Sequence, residues 1–479
     1  MEKHDLFTSD DLAIFSTYPN NHFECRAVWH MPLTLNNFGY DERSLEGVLK
    51  LLDAVKYAGI NTILIESTVS ARTIYPSKVA QTHPDFIFKD GRFGEYGNDY
   101  FLCFIEEAHK RGIQVHAWTS TMRAGRFEDT LASSMPTVMK EEWLARGING
   151  EYGLSGKYGE LMWLDPTNPE VEQYLLSQYV ELITNYPLDG IELDAIRYPI
   201  SNLMKVKDGE KISDHGYTKT ASEQFRALHP YEGDLREAIR NNVDLRKDWT
   251  QFRSDVMTGL VEKIYKLVIK KKPRLWFSAA VLMGHYNAKK IACQDWEKWI
   301  QKGWFDYISP MAYTINDEVL NKSFIDTQNL TQDQLFNLHG IASIIEGGGY
   351  LNHFNQMKLV NSNGGFGSIL FSIRQCIRDE KTYQMIAQVY KENPAINVFS
   401  SLNEIKEFLI NKLEHVEPTN LKASALNELK DIDLNNNMNA EVAYDLCGKI
   451  KDKCNNESEL VHMIDMFLKL LKTRSIRKI

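Results

Sequence analysis

Short apolar runs alternate with amphipathic stretches from about Arg26 to Ile373, the pattern of a parallel sheet wrapped by helices. Eight runs predict strands: Arg26–Met31, Thr62–Ser67, Gln114–Ser120, Gly190–Ile196, Leu275–Leu282, Phe305–Tyr313, His339–Glu346 and Gly367–Ile373. Between them Ser44–Ala58 carries Leu45, Val48, Leu49, Leu52 and Val55 on one helical face, and Gly59 ends it. Further helices are predicted over Asp99–Lys110, from Asn168 to Tyr186, over 246–270 and around Asp295–Gln301. The sharpest start is Asp165-Pro166-Thr167-Asn168-Pro169-Glu170, with Asn168 as N-cap and Pro169 at the first helical position. Eight strand–helix units predict an α/β fold, a (β/α)8 TIM barrel over residues 1–395 with a polar, unassigned insertion near 200–245. An open doubly wound sheet would need a Gly-rich turn after the first strand, and His30-Met31-Pro32 is not one.

Beyond Pro394 the pattern changes to helix formers and Asn. Ser401 and Glu404 make a capping box before Leu402, Ile405, Leu409 and Leu413. Leu460, Met463, Ile464, Phe467, Leu468 and Leu471 stripe a last helix, so residues 396–479 are expected to form a small helical domain.

Composition is that of an ordinary globular protein, with 43% hydrophobic and 25% charged residues. The net charge of −9 argues against a nucleic-acid partner, and the basic run Lys472–Lys478 reads as a solvated helix end. Six scattered cysteines, Cys25, Cys103, Cys293, Cys376, Cys447 and Cys454, form no CxxC pair and suit reduced, buried thiols. No apolar run long enough for a membrane span or a leader occurs, so the chain as written is expected in the cytoplasm, or exported if an N-terminal signal has been removed.

In a barrel, chemistry sits where strands end and loops begin. Along Gly190-Ile191-Glu192-Leu193-Asp194, alternation turns Ile191 and Leu193 outward and Glu192 and Asp194 inward, with Asp194 about 6.6 Å nearer the mouth. Carboxylates on the inner face of an apolar strand cost desolvation energy, which marks them as catalytic candidates or as members of an ion pair with Arg197 or another arginine. Glu66, at the end of the second strand, is a second acid, and Glu346 precedes the flexible Gly347-Gly348-Gly349. His30 and His116 lack metal-ligand spacing and read as substrate contacts or core histidines; no metal or cofactor is expected. No G-x-S-x-G elbow occurs. Trp29, Trp118, Trp163, Tyr198, Trp304, Tyr307 and Tyr313 fall near strand ends, where flat rings suit the C–H faces of sugars.

Four segments in order resemble one family: Glu66-Ser67 with Thr73–Ser77, Trp163–Val171, Asp189–Pro199 and Asp306–Thr314. Together they resemble the bacterial glycosyl-hydrolase-like family 10. The resemblance implies a TIM-barrel glycosidase, with some relatives acting on peptide-free cell-wall glycan. It carries over Asp194 as the catalytic residue, and Glu66 and Arg197 match pattern positions. Relatives often have His where this chain has Glu192, and Asp or Tyr where it has Ala195. Trp276–Val281 carries no counterpart of the amylase-type acid.

The reading that follows is glycoside hydrolysis by two carboxylates, with Asp194 as nucleophile or base and Glu66 as leading proton donor, Glu192 or Glu346 standing in. Trp29, His30, His116, Trp118, Arg197, Tyr198, Tyr313 and Glu346 are the expected substrate-binding residues. Carbohydrate is the expected partner, and oligomeric state is left open. The alternatives are a glycan-binding protein on a degenerate barrel and a barrel enzyme of other chemistry, such as a metal-dependent hydrolase.

Overall fold

The computed structural model describes residues 6–69, 71–127, 136–154, 160–200, 203–205, 211–213, 215–414, 426–434, 439–453 and 458–475. Cys454 and the last residues of the basic run, 476–478, lie outside them. The eight expected strands are all present: β1 (Cys25–His30), β2 (Thr62–Glu66), β3 (Gln114–Ser120), β4 (Gly190–Asp194), β5 (Trp276–Leu282), β6 (Tyr307–Met311), β7 (Gly340–Ile341) and β8 (Gly367–Phe371). Their order is β5-β4-β3-β2-β1-β8-β7-β6, and β5 pairs with β6 as well. Every strand therefore lies beside its sequence neighbours and the sheet closes into a (β/α)8 barrel.

Local chemistry sets the boundaries. Asn168 caps the helix Pro169–Asn185, its side chain accepting from the Glu170 amide, and Asp99 caps Tyr100–Lys110 in the same way. β4 stops at Asp194 because Ala195 takes a left-handed backbone, φ 51°. β7 is far shorter than its apolar run. The piece Phe336–Asn337 pairs with β6 first, and after Ile341 the Ala342 carbonyl accepts from the Ile345 and Glu346 amides, curling the chain into a turn.

The chain divides into two compact units, residues 30–52 with 64–305, and residues 1–29 and 53–63 with 306–478. In the first, the insertion after β4 contributes helices Lys219–Leu228 and Leu235–Asn241 ahead of the long helix Val243–Lys271. They share an apolar cluster of Phe225, Ile239, Trp249 and Phe252. Polar ties hold it to the segment before the capped helix. Thr218 donates to Asp165 at 2.5 Å, Gln224 to the Thr167 carbonyl at 3.0 Å, and the amides of Gly216 and Tyr217 to the Arg146 carbonyl.

In the second unit, buried Arg26 and Glu24 pair at 2.9 Å, with Tyr18 donating to Glu24 at 2.6 Å. Helices Leu402–Glu414, Asn439–Lys453 and Ser458–Ser475 follow β8 and two further helices. The predicted capping box forms: the Ser401 amide donates to Glu404, and the Glu404 amide to Ser401 Oγ. Phe23, ahead of β1, meets Phe408 and Phe467 of these helices at 6.1 and 5.9 Å. Cys25, Cys103, Cys293, Cys376 and Cys447 are buried and unlinked. No helix among the described residues is long and apolar enough to cross a membrane.

Candidate active site

Three neighbouring strand ends are levelled with one another in the first unit. The Ser67 amide donates to the Trp118 carbonyl at 2.9 Å, which fixes the end of β2 against β3. The Thr121 amide donates to the Asp194 carbonyl at 2.9 Å, and Thr119 Oγ1 to the Glu192 carbonyl at 3.0 Å, which fix β3 against β4. Ser120 is thereby in register with Asp194, and its hydroxyl donates to Glu66 at 3.4 Å. Glu66 and Asp194 thus face one region from either side of Ser120.

Their surroundings differ. Asp194 is 4% exposed, and its Oδ1 accepts from the Ala195 amide at 2.6 Å, a bond made by the left-handed turn that ends β4. Glu66 is partly open at its rim, yet enough protein surrounds its carboxyl for burial to push its pKa up to about 7. The Arg123 cation opposes that rise, the Asp194 charge adds to it, and the Ser120 hydrogen bond opposes it. A carboxyl titrating near neutrality beside a second carboxylate is equipped to hold a proton and release it.

Glu192 lies fully buried two residues deeper, level with Trp118 on β3 and Ser278 on β5. His116 is buried below it, against a bare backbone: a Cβ on Gly190 would come within 2.6 Å of its ring. Arg197 follows the β4 turn and lies 5.3 Å over the Trp163 ring. Tyr198 is turned toward the insertion, its ring 5.4 Å from the Arg253 guanidinium and its amide bonded to the Ala292 carbonyl.

His30 is directed at the helix Tyr100–Lys110, bonded to buried Glu42 at 2.6 Å and stacked on Phe104 at 5.5 Å. Glu42 is also held by Tyr100 and the Leu33 amide, so this histidine is built into a packed polar cluster. Trp29, Tyr313 and Glu346 belong to the second unit. Trp29 meets Tyr313 at 6.5 Å and Phe371 at 5.8 Å, over Gly340, where a Cβ would stand 2.7 Å from the indole. Glu346 is exposed in the turn after β7.

Ser120 and Arg123 were not among the residues expected from the sequence. Alternation put Ser120 on the same face as His116 and Trp118, which was the available signal; Arg123 lies past the strand end, where alternation stops. Among the described residues no three His, Cys, Asp or Glu side chains come together as a metal ion would require.

Residues 24–335 match the model of the family described as Glycosyl hydrolase-like 10. The glycosyl hydrolase DigH of Escherichia coli K12 is 24% identical over 323 residues, 61% of this chain and 64% of its own length. The glycosyl hydrolase YngK of Bacillus subtilis is 24% identical over 314 residues, 60% of this chain and 54% of its own. The chain thus spans less than two thirds of the length of these relatives. Among solved structures, the glycoside hydrolase domain of PgaB from Bordetella bronchiseptica aligns with a TM-score of 0.57 at 10% identity, covering 78% of this chain and 99% of that one. An α-L-fucosidase from Paenibacillus thiaminolyticus aligns at 0.52 and 16% identity, covering 77% and 49%. Both share the fold.

Proposed function

The chain belongs to the glycosyl hydrolase-like 10 family, and from that premise we propose that it hydrolyses glycosidic bonds of an oligosaccharide or polysaccharide, with Glu66 as proton donor and Asp194 as nucleophile or base. The observation that carries this reading is the pair of unlike carboxyls on either side of Ser120, one of them with a pKa near 7. Glycoside hydrolysis needs one acid protonated at working pH, to load the leaving oxygen, and one carboxylate ionised, to attack or to activate water. Glu66 suits the first task because burial disfavours its charge. Asp194 suits the second because it ends β4 in register with Ser120, with its Oδ1 fixed in place by the Ala195 amide at 2.6 Å.

The substrate proposed for first trial is peptide-free cell-wall glycan, on the strength of the family resemblance. The mechanism is tested by two variants on two kinds of substrate. Asp194→Asn should lower turnover on the order of 10²–10⁴-fold on every glycoside. Glu66→Gln should do the same on natural glycans but keep much of the rate on nitrophenyl glycosides, whose leaving group needs no proton. Equal losses on both kinds of substrate in Glu66→Gln would rule it out as the donor.

A further inference from the structure

β3 does not hand over to an ordinary loop. After Thr121 is tied to the Asp194 carbonyl, Arg123 opens the strand Arg123–Phe127 of a small antiparallel sheet, where register sets it opposite Trp163 of the strand Glu160–Trp163. The Leu164 amide donates to the Met122 carbonyl at 2.8 Å beside the same strand pair. The Arg123 backbone is therefore fixed on both sides within three residues of Ser120. Its side chain is half-buried, and its Nε is buried without a hydrogen-bond partner among the described residues. With Ser67, Ser120 and Thr121 it lines a small cavity of about 30 Å³, room for about one water, next to Glu66 in both sequence and space.

We propose that Arg123 is the positioning residue for Glu66: with its backbone held by the small antiparallel sheet, its guanidinium keeps the Glu66 carboxyl beside Ser120 and allows it to give up and regain its proton within a catalytic cycle. The inference rests on the reading of Glu66 as proton donor. The charged groups facing Glu66 among the described residues are Arg123 from the strand Arg123–Phe127 and Asp194 from β4, with the Ser120 hydroxyl from β3. Arg123 is the cation of that set. Without it, burial and the Asp194 charge would act on Glu66 unopposed except by Ser120, and a donor that cannot ionise serves only the first half of a turnover.

The test is a carbon-13 NMR titration of the full chain carrying labelled glutamate, with the Glu66 carboxyl assigned by its loss in Glu66→Gln. The wild-type midpoint should lie near 7. In Arg123→Gln it should rise by about one pH unit or more, and the alkaline limb of kcat/KM should move upward with it. Arg123→Met keeps the aliphatic stem and repeats the measurement should the Gln variant not fold. Arg123→Lys, which keeps the charge, should bring the midpoint back toward wild type. A midpoint unmoved in the neutral variants overturns the proposal, as does a fall in rate at every pH with no movement of the limb. The titration is read without turnover. A moved midpoint in a protein that hydrolyses nothing would overturn the hydrolase reading and leave the coupling standing, whereas an unmoved midpoint in an active enzyme would overturn the coupling alone.

Discussion

A carboxyl held near neutrality by burial weakens the fold wherever it is ionised. Glu66 titrates at about 7 in the folded chain against 4.5 for an unhindered glutamate. Unfolding then releases its proton between those values. The stability it contributes is fully present below about 4.5 and falls as the pH rises toward 7. Glu66→Gln removes this loss, so at pH 8 the variant should be about 3 kcal/mol more stable than the wild type, with little difference at pH 4.5. Chemical denaturation at the two pH values checks it; equal shifts at both would mean that the carboxyl is not held protonated. At this scale the sequence was informative where alternation applies, as along Gly190–Asp194, and uninformative where partners come from elsewhere. The Glu42 that engages His30 lies twelve residues away, and the Phe371 that flanks Trp29 comes from the far end of the barrel sequence.

Elements were predicted well where capping and periodicity agreed. β3 and the helix begun by Asn168-Pro169 fall where those signals put them. The seventh strand was overextended because an apolar run such as Ile341–Ile345 says nothing about the Ser343 hydroxyl bonding His353 at 3.0 Å, or about the turn that Gly347 completes at φ 89°. The insertion near 200–245 was illegible for another reason. Its buried residues, such as Phe225, Ile239 and Trp249, are widely spaced on separate helices and form a cluster only once these fold together. β4 offers a direct check of element-level packing. Gly190→Ala would drive a methyl into the His116 ring and should cost about 1–3 kcal/mol, visible as a lowered thermal midpoint. A neutral outcome would mean that the strand base has slack that the structure does not show.

Eight strand–helix units in sequence leave few ways to close a sheet, which is why the barrel was readable from periodicity alone. The attachment of the last helices was not readable, because an amphipathic stripe does not name what it packs against. Phe467 supplies the answer by lying against Phe23. Phe467→Ala should cost about 3–5 kcal/mol, while kcat on any substrate found should stay within about twofold at 25 °C as long as the protein is folded. A large fall in kcat would tie these helices to catalysis. The proposed hydrolysis turns on Asp194. Its most direct test is product release by purified wild type and Asp194→Asn from a glycan panel that includes peptide-free cell-wall strands. Release by the wild type that disappears in the variant is the predicted result; equal release by both proteins would contradict it and place the active site elsewhere.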